Sequence, residues 1–280
     1  IAVVAGAASD RVAMVRALPD TTRGVLVEKP LAVTVREGNE LEQIFEARGT
    51  LCQVGYNLRF SQSLKEFRTA INSKELGEVV SVRAETGQYL PDWRPRRDYR
   101  TTVTAQSALG GGVLRELSHE LDYLQWIFGQ IDWVSAWIGR QSQLEIDVED
   151  VASIRCGFSP ADGSKTIVGQ IALDIVRHDS TRTVTAICER GSLQWDGIGM
   201  QVRRWRGGQH SWDIVHSEEC GNSETYKRQW DSFVYAVENS ISPEVSVADG
   251  LSVLSVIEAV ERSHDSEGRM TSVVRGGVHR

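Results

Sequence analysis

Apolar positions come first in short dense runs and later in alternation. Residues 1–5 (IAVVA), 24–28 (GVLVE) and 50–54 (TLCQV) are largely apolar without alternating, the pattern of strands covered on both faces. Between them, Asp10–Leu18 carries Val12, Val15 and Leu18 at helical spacing. A second helix is predicted from a Thr34 cap to about Arg48, with Leu41, Ile44 and Phe45 on one face. Strand, helix, strand, helix, strand predicts a parallel α/β sheet.

The rhythm changes after residue 57. Ser61–Ser73 reads as a helix with Leu64, Phe67 and Ile71 inward, and 78–87 alternates like a strand with one wet face. A polar and aromatic segment, Gln88–Ser107, leads to Gly110-Gly111-Gly112 and one helix ending at Phe128-Gly129. Strand-like runs follow at 132–140, 150–158, 166–176, 181–187, 192–195, 200–206 and 211–216, separated by turn signals such as SPADGS and RGGQ. Two helices, about 223–240 and 246–264, come last. The expected fold class is α/β. Residues 1–57 are expected to form a parallel α/β portion, and 58–280 an α+β domain with a large open, mostly antiparallel sheet. The last helix is expected to pack back on the first part.

Composition narrows the classes. The 280 residues are 41% hydrophobic and 25% charged, with a formal net charge of −7. An acidic chain of this kind does not suit nucleic acid or an anionic membrane, and no apolar run approaches the roughly 20 residues that span a bilayer. Cys52, Cys156, Cys188 and Cys220 lie far apart, without CxxC or zinc spacing, and are expected as reduced thiols of a cytoplasmic protein. No metal site is expected: His119-Glu120 lacks the second His of a zinc helix, and His178, His210, His216, His264 and His279 show no ligand spacing.

Two places carry candidate chemistry. Glu28-Lys29-Pro30 ends a predicted parallel strand, where open α/β sheets bind ligands. A lysine there can hydrogen-bond a hydroxyl or carbonyl; the plainer reading is a solvated surface turn. In GGGVLRELSHELDY (110–123), Glu116, His119 and Asp122 are three residues apart, which on one helix gives one face. An imidazole there suits acid–base work; the plainer reading is a structural His satisfied by a carboxylate. The segment GQYLPDWRPRRDYR (87–100) offers aromatic faces and arginine forks in Tyr89, Trp93, Arg94, Arg97 and Tyr99, or else a solvated or subunit-contacting loop.

Taken with VLVEKPLA (25–32), VGYNLRF (54–60), LGEV (76–79) and GGG followed by HELDY, the chain resembles the Gfo/Idh/MocA oxidoreductases along essentially its whole length. The resemblance implies hydride transfer between NAD or NADP and a carbon of a sugar, sugar derivative or polyol. It implies Lys29 and His119 as the proton-handling pair, with Glu116 or Asp122 orienting the His. Alignment on the glycines puts Glu116 at the family's supporting acid; alignment on the His puts Arg115 there. Ala5, Gly6, Ser9, Glu28, Lys29, Pro30, Asn57 and Arg59 would face the cofactor. Tyr89, Trp93, Arg94, Arg97, Tyr99 and His119 would face substrate, with some likeness to a subgroup acting on acidic or nucleotide-linked surface sugars. The family's GxGxxG opening does not occur, so Ile1 is expected to start a fourth Rossmann strand, with roughly 60 residues belonging before it. A homo-oligomer, dimer or tetramer, is expected through the open sheet. Two other readings remain: a redox-assisted glycoside hydrolase with tightly held NAD, and a non-enzymatic sensor or partner subunit.

Overall fold

The structure, a computed structural model, describes residues 1–218, 221 and 223–275. Its strands form two sheets. The first takes β1 (Ala2–Val4), β2 (Gly24–Val27) and β3 (Leu51–Val54) in that order, all parallel. Every residue of β2 is buried, as its unbroken apolar run requires. The crossovers are α1 (Arg11–Arg16) and α2 (Val35–Arg48). The Thr34 hydroxyl accepts from the Glu37 amide at 3.2 Å while the Glu37 carboxylate accepts from the Thr34 amide at 3.1 Å. Two of the first-turn donors a helix leaves open are thereby used. Gly49, at φ 60°, closes the other end in a conformation that glycine adopts without strain.

The chain then runs through α3 (Gln62–Asn72) into β4 (Val79–Gly87). Residues 88–109 hold short 3₁₀ turns at 90–92, 99–101, 103–105 and 107–109. The single helix expected after the glycines is two, α4 (Val113–Glu116) and α5 (Ser118–Phe128), broken where Leu117 takes φ −95°, ψ 27°. There follow β5 (Gln130–Gly139), β6 (Val151–Ser159), β7 (Ile167–Asp174), β8 (Thr181–Cys188), β9 (Gly191–Asp196), β10 (Gln201–Arg206) and β11 (Asp213–Ser217). The chain continues with α6 (Ser223–Asn239), α7 (Val247–Asp265) and a two-residue β12 (Thr271–Ser272).

Among the described residues the second sheet has nine strands in the order β11-β10-β9-β8-β4-β7-β6-β5-β12. All neighbours are antiparallel except β4 and β7. Alternation sorts its faces: Val82, Ala84, Ile154, Ile171 and Val184 are buried while Arg83, Glu85, Arg155 and Gln170 are exposed. α7 lies between the sheets. Its Gly250 backs onto Leu31 and Val54, and its Ser263 hydroxyl accepts from the Ala136 amide on β5. α6 covers β2, with Phe233 and Val237 against Leu26.

Cys52, Cys156 and Cys188 are free and buried, whereas Cys220 and His279 lie outside the described residues. Among the described residues no helix is long and apolar enough to cross a membrane, and no group of His, Cys, Asp and Glu is placed to hold a metal.

Candidate active site

Lys29 leaves the carboxyl end of β2, and its ammonium reaches across to the break between α4 and α5. It donates to the Glu116 carboxylate at 3.0 Å and to the Glu116 main-chain oxygen at 2.7 Å. The break makes the second bond available: the Glu120 amide donates to the carbonyl of Leu117 instead of to that of Glu116. The Thr104 hydroxyl donates to the other Glu116 oxygen at 3.0 Å. Burial alone would raise the Glu116 carboxyl. Lys29, the Thr104 hydroxyl and the nearby charge of Arg94 together hold it below the ordinary value.

His119 enters one turn later, at the start of α5, with its ring edge-on to Tyr56 at 5.6 Å. Its Nδ1 is buried with no hydrogen-bond partner. Burial first, then the charges of Lys29 and Arg182, drive its pKa well below the usual 6.5. At neutral pH the imidazole is therefore uncharged and able to accept a proton.

These three residues share a cavity of about 250 Å³. Asn57 and Leu58 line it after β3, Thr86 to Gln88 at the end of β4, Ser180 to Arg182 at the start of β8, and Trp93, Ile198 and Tyr226 at its rim. Several of these have no local sequence signal. Thr86, Gly87, Thr181 and Arg182 meet because β4 pairs with β8, Gly87 opposite Thr181 and Thr86 opposite Arg182; only the strand order reveals it.

Other expected residues lie elsewhere. Asp122 does not line the cavity. It accepts from Arg59 at 2.9 and 2.6 Å, and Arg59 also reaches Asp249 at 3.0 Å. The expected carboxylate–imidazole–carboxylate face therefore does not form, because the helix breaks before His119 and a buried guanidinium takes the carboxylate of Asp122. Neither Glu116 nor Asp122 orients His119 through a hydrogen bond to Nδ1. Arg59 is a buried structural cation, so its expected place facing a cofactor is corrected too. Arg115 pairs with Glu261 at 2.9 Å and donates to the Val33 carbonyl. Of the two alternatives, Glu116 is the one brought to Lys29.

Asn57 lines the cavity while donating to the Thr225 hydroxyl at 2.7 Å. Ala5, Gly6 and Ser9 are exposed beyond the carboxyl end of β1. Pro30 is buried and follows a cis peptide. In the 87–100 segment only Gly87, Gln88 and Trp93 reach the cavity. Arg94, Arg97 and Tyr99 line a smaller recess beside it, and Tyr89 stacks on His178 with ring centres 4.1 Å apart. Sequence reasoning also passed over Arg11. Its buried guanidinium donates to the carbonyls of Val4, Gly6 and Glu28, tying the ends of β1 and β2 behind Lys29.

A family model described as GFO/IDH/MocA C-terminal domain matches residues 64–194. The chain is 22% identical over 259 residues to scyllo-inositol 2-dehydrogenase (NADP(+)) IolW of Bacillus subtilis (strain 168), a match taking in 85% of this chain and 69% of that protein. It is 31% identical over 107 residues to rhizopine catabolism protein MocA of Rhizobium meliloti, 38% of this chain and 31% of the other. Among solved structures, a levoglucosan dehydrogenase in complex with NADH superposes with a TM-score of 0.85 at 18% identity, over 98% of this chain and 80% of that one. An inositol dehydrogenase homolog complexed with NAD+ from Azotobacter vinelandii gives 0.82 at 19% identity, over 97% and 78%. At these identities the two structures share the fold.

Proposed function

The chain belongs to the Gfo/Idh/MocA oxidoreductases, and from that premise we propose that it transfers a hydride between NAD or NADP and a carbinol carbon of a sugar or polyol held against Lys29 and His119. The supporting observation is the cavity in which a lysine ammonium fixed by two bonds and an uncharged imidazole face the same space. The residues present suit the reacting end of a nicotinamide cofactor. Glu28 to Pro30 and the exposed Ala5, Gly6 and Ser9 stand beyond the carboxyl ends of neighbouring parallel strands, where open α/β sheets receive nucleotides. When bound, that cofactor supplies the hydride acceptor or donor. Lys29 hydrogen-bonds the substrate oxygen and stabilises the negative charge that grows on it. His119 takes the hydroxyl proton in oxidation and returns it in reduction. Glu116 keeps the ammonium in place.

The open sheet face, with exposed Trp137 and Val168, supports a homo-oligomer. The free buried cysteines suit a reducing, cytoplasmic setting.

The test is a titration of the intact protein with NADH and NADPH, followed by nicotinamide fluorescence, with turnover of cyclic polyols. Micromolar binding of either nucleotide is expected. Lys29→Met and His119→Ala should each lower kcat by about 10²–10⁴-fold. Turnover unchanged in both variants would defeat the proposal.

A further inference from the structure

Arg182 is the cavity residue whose bonding leaves most unused. Its Nε donates to Glu120 at 2.8 Å, and Glu120 is fully buried while the Arg182 side chain keeps 18% exposure. Among the described residues its two terminal nitrogens carry no hydrogen bond, and they are not among the fully occluded atoms. A guanidinium held by Nε alone presents its Nη pair as a rigid two-donor fork. Arg182 lines the cavity with Ser180, Thr181 and His119, and its charge acts on His119, which sets the guanidinium beside the proton-handling residues.

Charge decides what the fork takes. Arg182 is neutralised by Glu120, and Lys29 by Glu116; His119 is uncharged, and Asn57, Thr86, Gln88, Ser180 and Thr181 are neutral. The charges of the lining residues and their partners therefore sum to zero. A carboxylate or phosphate inside would leave a net buried negative charge, which is costly. Arg94 and Arg97 line the adjoining recess, from which the charge of Arg94 is felt at Glu116.

Building on the oxidoreductase reading, we infer that Arg182 is a specificity-determining residue whose Nη fork donates to two adjacent hydroxyls of an uncharged polyhydroxylated ring. A diol accepts two parallel hydrogen bonds without importing charge. A ring lacking one of the two hydroxyls leaves a donor unmatched in a partly desolvated place.

The test uses the intact protein and two readouts, calorimetric binding without added nucleotide and steady-state turnover with it. The probes are the inositols, D-glucose and levoglucosan, their monodeoxy counterparts, and D-glucuronate as the charged ring. The best neutral ring should lose at least about tenfold in affinity when either partner hydroxyl is removed. D-Glucuronate should bind at least about tenfold more weakly. The double variant Arg182→Gln/Glu120→Gln removes both charges of the pair, so no buried ion is stranded; circular dichroism checks its fold. It should bind the parent ring as weakly as the deoxy ring, with the deoxy ring unaffected. Arg182→Lys, which keeps the charge without the fork, should lose the same discrimination. Equal weakening of parent and deoxy rings, or preference for D-glucuronate, would overturn the inference while leaving the oxidoreductase reading intact. No binding and no turnover of any ring would overturn both.

Discussion

At the residue scale the site turns on the protonation state of one imidazole. Buried between two cations, His119 stays uncharged to well below pH 6.5. The unfolded chain binds a proton there near 6.5 while the folded chain does not. Its contribution to stability is therefore present above about pH 6.5 and lost as pH falls toward the depressed value. Activity follows the same sign. The acid limb of kcat/KM should lie below pH 6.5 and vanish in His119→Ala, whose residual rate should be flat across that window. A limb that persists unchanged would show that another group is the base. Lys29 and His119 were legible as candidates because each sits on a short motif, EKP or HELDY. Arg182 and Thr86 were not legible, because their neighbourhood comes from the pairing of two strands nearly 100 positions apart.

At the element scale, two glycines on facing helices make contrasting predictions. A methyl on Gly250 would lie 2.9 Å from Leu31 Cβ and 3.2 Å from Val54 Cγ2, atoms with little freedom to move. One on Gly38 would meet the tips of Leu251 and Leu254, which can turn aside. Helix propensity favours alanine at each by about 1 kcal/mol, whereas overpacking costs about 1–3 kcal/mol. Thermal melts should show Gly250→Ala destabilised and Gly38→Ala neutral or better. Thr34→Ala removes half of the capping box on α2 and should cost about 1 kcal/mol, a fall of a few degrees in Tm. Propensity and capping made α2 readable to within a residue. The break at Leu117 was not readable, since the apolar spacing continues straight through it.

At the scale of the whole molecule, a charged triad around the buried Arg59–Asp122 pair bolts the parts together. Arg59 follows β3, Asp122 lies on α5 and Asp249 on α7. Asp122→Asn leaves a guanidinium that is 5% exposed without its bidentate partner. That should cost about 3–5 kcal/mol, read by urea denaturation, with loss of cooperativity between the two sheets. A change under 1 kcal/mol would show that Asp249 alone suffices. The alternation of the long sheet and the dense runs of the short one made both architectures readable. The triad was not, because three charged residues on separate elements look like ordinary surface positions until the fold brings them together.

The interruption between α4 and α5 has a bearing on how this site could change over evolutionary time. One of the two anchors for the Lys29 ammonium is a peptide oxygen, present whatever side chain occupies position 116. Drift at that position would then tune the charge around the lysine without setting it adrift, and the chemistry could be adjusted in small steps. Position 29 has no such reserve. A site built this way tolerates replacement of the acid beside its lysine better than replacement of the lysine itself.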